Sequence, residues 1–227
     1  MQPLETGPAL IDQVHDQLVA AIASGDLAPG ERLTQENVAA LLGVSRQPVS
    51  HALQILKRRG LLIEHGKRGL AVAPLDRHRI MSLYQIREVL DGLAARLAAE
   101  RCCDGLAAPD DIAALDEALD DGEALAATTH VKQLVLADVA FHSALHRLSG
   151  NPEIARTVAE QWPQFMRSMG FVLSAANRAV TIWAEHAAIA AAVRAGDPDR
   201  AEALSRAHAR GAAQQSAIEL PQTEAAE

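Results

Sequence analysis

Apolar side chains recur at Ile11, Val14, Leu18, Ala21 and Ile22, three or four apart, which predicts a helix over 10–23. SGDLAPGERL then ends it with two glycines and a proline. A second helix fits TQENVAALLG, with Thr34 placed to cap its start and Gly43 suited to its C-terminal exit. In VSRQPVSHALQILKRRGLL a third helix is expected. Ser45 is a good N-cap residue, Pro48 is tolerable only in a first turn, and Val49, Ala52, Leu53 and Leu56 supply the buried face. After Gly60, LLIEH and LAVAP flank GKRG, which predicts two short strands and a turn tipped by Lys67 and Arg68. From Asp76 onward no convincing alternating pattern recurs. Apolar spacings of three and four predict six helices, at about 79–101, 109–126, 129–149, 151–175, 177–195 and 198–216, with breaks at APDD, SGNP and AGDPD.

Two helices joined by a short glycine-containing turn form a helix-turn-helix, whose second helix presents its N-terminal residues to the DNA major groove. The hairpin that follows reads as a wing. The expected architecture is therefore mainly α. A winged helix-turn-helix domain occupies 1–75, an all-helical antiparallel bundle 76–220, and a disordered tail 221–227.

Charge sharpens this picture. The chain has 227 residues and a formal net charge of −8, which at first argues against a nucleic-acid partner. Residues 1–75, however, hold 7 basic and 7 acidic side chains, whereas residues 76–227 hold 14 and 22. Between 46 and 68, Arg46, Lys57, Arg58, Arg59, Lys67 and Arg68 face Glu64 alone, a local charge of +5. These cations cluster on the two elements that would touch DNA. The competing reading is a helical hairpin beside a surface β-hairpin, used for protein contacts.

With 49% hydrophobic and 22% charged residues, the composition is that of an ordinary globular protein. No apolar run approaches the roughly 18–20 residues that span a bilayer, and residues 1–10 lack the pattern of a signal peptide. A cytoplasmic protein without a membrane partner is expected. Cys102 and Cys103 are adjacent, so reduced thiols are expected.

Candidate chemistry lies in the bundle. DVAFH, residues 138–142, sets Asp138 and His142 on one helical face inside an apolar run. A buried carboxylate costs several kcal/mol unless it is hydrogen-bonded, charge-paired or metal-bound. His186 and His208 sit in comparable surroundings on separate predicted helices, and an antiparallel bundle can aim all four side chains into one cavity. One carboxylate oxygen and three imidazole nitrogens suit Zn²⁺, Mn²⁺, Ni²⁺ or Fe²⁺. An Asp to His hydrogen bond with two unrelated histidines accounts for the same spacing.

The stretch from PGERLTQENVAALLGVSRQPVSHALQILKRRGLL to GKRGLAV resembles the DNA-binding domain of the GntR family of bacterial transcription regulators, over about residues 8–74. The resemblance implies a homodimer on a short palindromic operator in double-stranded DNA, with Thr34, Ser45, Arg46, Gln47, Ser50, His51 and the wing residues Lys67 and Arg68 at the DNA. Ser50 and His51 stand where the family has arginine and glutamate, so one cationic contact is missing.

Residues 78–216 resemble the FCD ligand-binding domain of the FadR-type branch, and a count of six helices suggests its shorter, VanR-like subgroup. In that branch a D-x-x-x-H pair, a histidine after glutamate and a histidine near the start of the last helix bind metal. DVAFH, AEH and RAH supply these as Asp138, His142, His186 and His208. Zn²⁺ is the first expectation. Arg87 matches a recurrent arginine that can hold the carboxylate of a small-molecule effector; its alternative is an intrahelical pair with Asp91. His146 is expected to pack or hydrogen-bond, and the remaining histidines to lie at the surface or the DNA side.

The expected function is that of a transcriptional repressor controlled by a small organic acid bound at or near the metal. The rival readings are a metal-dependent hydrolase, in which Glu185 assists a metal-activated water, and a regulator whose metal is purely structural.

Overall fold

A computed structural model of the protein describes residues 10–66, 69–127, 130–174 and 178–220. It divides into two compact units, Met1–Leu75 and Asp76–Glu227. The expected tail at 221–227 and the wing residues Lys67 and Arg68 lie outside the described residues.

The first unit contains α1 (Leu10–Ala23), β1 (Arg32–Leu33), α2 (Gln35–Leu42), α3 (Arg46–Arg58), β2 (Leu62–His65) and β3 (Gly69–Val72). Val14, Leu18 and Ile22 of α1 meet Val38 of α2 and Val49, Ala52, Leu53 and Leu56 of α3 in one core. Thr34 caps α2, its Oγ1 accepting from the Asn37 N–H at 3.2 Å. Gly43 ends that helix at φ 66°, where a Cβ is disfavoured by roughly 1–2 kcal/mol. Ser45 holds the extended cap position of α3, but its hydroxyl makes no capping bond.

The strands form an antiparallel sheet in the order β1-β3-β2, with Leu62 opposite Val72 and Arg32 opposite Ala71. Strand β1 was not expected from the sequence. Its two residues are too short to show alternation, and pairing with β3 alone defines it.

The second unit is helical throughout: α4 (Arg77–Cys103), α5 (Pro109–Ala126), α6 (Val131–Leu148), α7 (Pro152–Ala159), α8 (Trp162–Ser174), α9 (Arg178–Arg194) and α10 (Pro198–Glu219). Asp76, Asn151 and Asp197 cap α4, α7 and α10 by accepting backbone N–H bonds. Prolines at the starts of α5, α7 and α10 occupy positions whose N–H needs no helical partner.

The expected helix over 151–175 is two helices, so the described residues of this unit form seven helices rather than six. The cause is Pro163. Its missing N–H cannot bond the Ala159 carbonyl, so the chain turns at Glu160–Gln161 and restarts at Trp162, with Pro163 tolerated in the first turn of α8. Helix count therefore does not mark out the shorter subgroup.

Helix α10 lies along α4, tied by Arg96 to Asp199 at 2.7 Å and by Arg210 to Glu88 at 2.9 Å. Helix α6 packs on α4, α5 and α8, while α9 packs on α4, α5 and α10. Helices α5 and α9 close on Gly122, where a Cβ would stand 2.0 Å from the Trp183 ring. No helix among the described residues is long and apolar enough to cross a membrane.

Candidate functional site

The outer face of α3 carries Arg46, Gln47 and His51 in the open, with Ser50 half-buried beside them. The opposite face is spent on the core, so this face is left to solvent. Gln54 and Arg58 continue the exposed stripe at helical spacing; Arg58 was counted among the clustered cations, whereas Gln54 was not singled out from the sequence. Gln35 of α2 donates to the Ser50 hydroxyl at 3.2 Å and so fixes the turn between the two helices. Arg46 lies 3.1 Å from Glu36, but both side chains are more than 60% exposed, and such a pair yields readily to a phosphate.

In the second unit, four ligand atoms from three helices converge. Asp138 and His142 come from α6, His186 from α9 and His208 from α10, and the four ligand atoms all lie within 4.8 Å of one another. His186 Nε2 is 3.2 Å from His208 Nε2 and 3.6 Å from Asp138 Oδ1, while His142 Nε2 is 3.7 Å from Asp138 Oδ2. Tetrahedral ligands bound at about 2.0–2.1 Å stand ~3.3 Å apart, so the spacing is near that of a coordination shell.

Two details test whether the residues fit an ion. His142 Nε2 and Asp138 Oδ2 are buried without a hydrogen-bond partner among the described residues, a deficit on the order of 1–3 kcal/mol each. A shared cation accounts for both. The His186 ring is clamped by Phe141, stacked at 4.2 Å, and by the edge of Trp183 at 4.6 Å. The apolar residues of DVAFH thus orient a ligand as well as filling the core.

An outer layer of carboxylates aims the rings. His208 Nδ1 bonds Glu185 at 2.8 Å, which leaves Nε2 to face the centre. His142 Nδ1 lies 3.2 Å from Asp91, though off the line of a good hydrogen bond. Asp91 also bonds Arg87 Nε at 3.0 Å and His146 Nε2 at 2.8 Å. Burial first, and then the charge of Arg87, pushes the His142 pKa down to about 4. Burial and the neighbouring imidazoles push His186 well below its ordinary value. Both rings are held in the neutral form that ligates metal. Burial works to raise the Asp91 pKa, but the Arg87 charge, followed by His142, holds it well below the carboxylate range.

The Arg87–Asp91 pair weighed as an alternative is present, and the guanidinium also lies over the rings of Phe165 and Trp162 at 4.9 and 5.0 Å. Its Nη2 stands 3.7 Å from Asp138 Oδ2. Arg87, Asp138 and His208 border a cavity of about 20 Å³, room for one or two water molecules, whose other walls include Met169, Val172 and Ile182. Sequence reasoning missed the outer role of Asp91, which depends on the rotation of α4 against α6. Glu185 was noted only as an assistant to water.

Residues 82–211 match the FCD domain family, and residues 10–72 match the bacterial regulatory proteins of the gntR family. An HTH-type transcriptional regulator from an unstable DNA locus of Streptomyces ambofaciens is 31% identical, over 82% of this chain and 75% of that one. The HTH-type transcriptional repressor NanR of Klebsiella aerogenes is 28% identical, over 88% of this chain and 82% of its own. The fold is that of Escherichia coli McbR/YncC, with a TM-score of 0.77 at 23% identity over 90% of this chain and 95% of that one. With a helix-turn-helix unit matched to one family model and a helical bundle matched to the other, the chain belongs to the GntR family of bacterial transcriptional regulators that carry an FCD domain, and it is a DNA-binding regulator, not an enzyme.

Proposed function

We propose that this regulator is a repressor whose operator affinity is set by a small carboxylate-type metabolite, bound at a divalent transition metal held by Asp138, His142, His186 and His208. The observation that carries this reading is the meeting of four buried donors from three helices, three of them with orphaned atoms, next to the buried guanidinium of Arg87. Zn²⁺ suits the donor set best; Ni²⁺, Mn²⁺ and Fe²⁺ are also compatible with it. When bound, the ion supplies a Lewis-acidic centre that attracts an oxygen of the metabolite. Arg87 orients the carboxylate, and Glu185 and Asp91 hold the ligand rings.

In this reading residues 1–75 bind DNA and residues 76–220 bind metal and effector and pair two copies of the chain. A homodimer sets two copies of α3 on a palindromic operator about one helical turn apart. Arg46, Gln47, Ser50 and His51 contact the operator, Thr34 supports them from the cap of α2, and Lys67 and Arg68 reach the DNA backbone from the wing. The effector weakens operator binding by binding more tightly to the state that fits DNA poorly. Repression is favoured by the relative that is itself named a repressor.

The test combines elemental analysis of the purified protein with operator binding by fluorescence anisotropy, before and after chelation and with a panel of carboxylic acids. One metal per chain and carboxylate-induced release support the reading; metal-free protein with unaltered regulation overturns it. The small size of the cavity favours a second reading, in which the metal is structural. In that case chelation alone releases DNA, and no carboxylate does.

A further inference from the structure

The polar side chains of α3 divide into those the fold engages and those it leaves open. Arg46 pairs with Glu36, the Ser50 hydroxyl accepts from Gln35 at 3.2 Å, and Lys57 reaches Glu64 at 2.5 Å. Gln47, His51, Gln54 and Arg58 are exposed and make no side-chain hydrogen bond or ion pair among the described residues. At about 100° per residue these four fall within an arc of roughly 60°. That arc lies opposite Val49, Ala52, Leu53 and Leu56, which are buried in the core.

The heads along the arc are neutral at 47, 51 and 54 and cationic only at its far end, Arg58. A face made to grip phosphate carries cations, because neutralising phosphate drives binding that ignores sequence. A neutral polar face suits base edges instead. In the major groove guanine offers two acceptors, N7 and O6, which call for two donors on one head, as in a guanidinium. Adenine offers the acceptor N7 beside the N6 amino donor. A carboxamide holds one acceptor and one amino donor on a single planar head, so it meets adenine with two bonds and guanine with fewer.

Gln47 and Gln54 are the two carboxamides of the arc. The seven positions from one to the other rise about 10 Å along the helix, close to three base-pair steps of ~3.4 Å. His51 stands between them, and its ring changes donor and acceptor with tautomer, so it selects no base by itself. Ser50, short and already engaged by Gln35, leaves the selection to its longer neighbours.

Resting on the placing of DNA against α3 proposed above, we infer that Gln47 and Gln54 each read an adenine, so that every operator half-site carries two A·T pairs about two to three steps apart. Each side chain donates from Nε2 to N7 and accepts at Oε1 from the N6 amino group. Arg58, one turn beyond Gln54, meets the phosphates at the edge of the groove.

The experiment selects from a pool of duplex DNA with a randomised centre, using the full-length protein as purified. The wild type should enrich two adenines per half-site at about that spacing. Gln54→Ala should lose the preference at one of them and Gln47→Ala at the other, each weakening binding to the selected duplex about tenfold and leaving the rest of the site unchanged. Both glutamines are exposed, so the variants should melt with the wild type. Gln54→Arg should turn the preference at its position to guanine. Replacing each adenine by 7-deazaadenine removes N7 and keeps the base pair; it should weaken the wild type severalfold and leave the matching alanine variant unaffected. Guanine at those positions, an unaltered selected site in either alanine variant, or full tolerance of 7-deazaadenine by the wild type overturns this inference alone. A pool from which the protein enriches no sequence overturns the placing of DNA against α3 as well.

Discussion

His186 and His208 face each other from α9 and α10 with their Nε2 atoms 3.2 Å apart, close to the separation of two ligands on one ion. Each comes from a different helix, so removing either ring leaves the rest of the cradle in place. His142→Ala and His186→Ala are each expected to lower the metal content of the purified protein while operator binding persists. Elemental analysis alongside anisotropy checks this. Wild-type metal content in both variants would remove these residues from the site.

Acid should destabilise the metal-free protein in a defined window. The His142 pKa is lowered to about 4 when folded, against about 6.5 in the unfolded chain. Below pH ~6.5 the unfolded chain therefore binds a proton that the folded chain does not, and stability falls as the pH drops toward about 4. The full effect of this one ring is on the order of 3 kcal/mol, and His186 acts in the same direction. Asp91, depressed in its pKa, adds a loss only at still lower pH. Thermal melts of chelated protein between pH 7.5 and 4.5 should show a falling Tm. A flat or rising Tm across that interval would contradict the burial of neutral imidazoles.

The elements that were legible in the sequence are those fixed by local chemistry. Thr34, Gly43 and the spacing of Val49, Leu53 and Leu56 each act within a turn of chain, so α2 and α3 could be read directly. Strand β1 depends on a partner nearly forty positions away and leaves no periodic trace. The interruption between α7 and α8 carried its signal in Pro163, but apolar spacing runs on across it and hides the turn. Asp138 and His142 announce a shared face by spacing alone; His186 and His208 were picked out by their similar surroundings on separate predicted helices, and family likeness then favoured a shared metal over unrelated histidines. Asp91 and Glu185 were legible only as neighbours in sequence, because their bonds to His146 and His208 depend on how α4 meets α6 and α9 meets α10.

Arg46 is the cation at the start of α3, and its partner Glu36 is surface-exposed. Arg46→Ala should weaken operator binding by about 1–3 kcal/mol without changing the melting of the helical unit. Glu36→Gln should act oppositely, tightening binding modestly by freeing the guanidinium. Ser50→Arg should improve binding to a generic family operator by restoring the missing cation. Anisotropy at a fixed salt concentration measures all three. Unaltered affinity in Arg46→Ala would show that the reading face lies elsewhere.

Asp91 gives the sharpest test of how the buried charges are organised, because a single carboxylate there meets Arg87, His142 and His146 at 3.0, 3.2 and 2.8 Å. Asp91→Ala strands the guanidinium with Asp138 alone at 3.7 Å and should cost roughly 3–5 kcal/mol, as expected when one partner of a buried pair is removed. Asp91→Asn keeps the shape but not the charge. It should leave a folded protein whose metal affinity is lowered about 10–100-fold, because the carboxylate opposite His142 Nδ1 is gone. Adding Arg87→Met to Asp91→Ala removes both charges, and the double variant should be more stable than Asp91→Ala itself. Denaturant unfolding of the wild type, Asp91→Ala, Arg87→Met and the double variant, all stripped of metal, gives the coupling directly. If the two losses simply add, the pair does not act as a unit, and Arg87 is held by its aromatic neighbours instead.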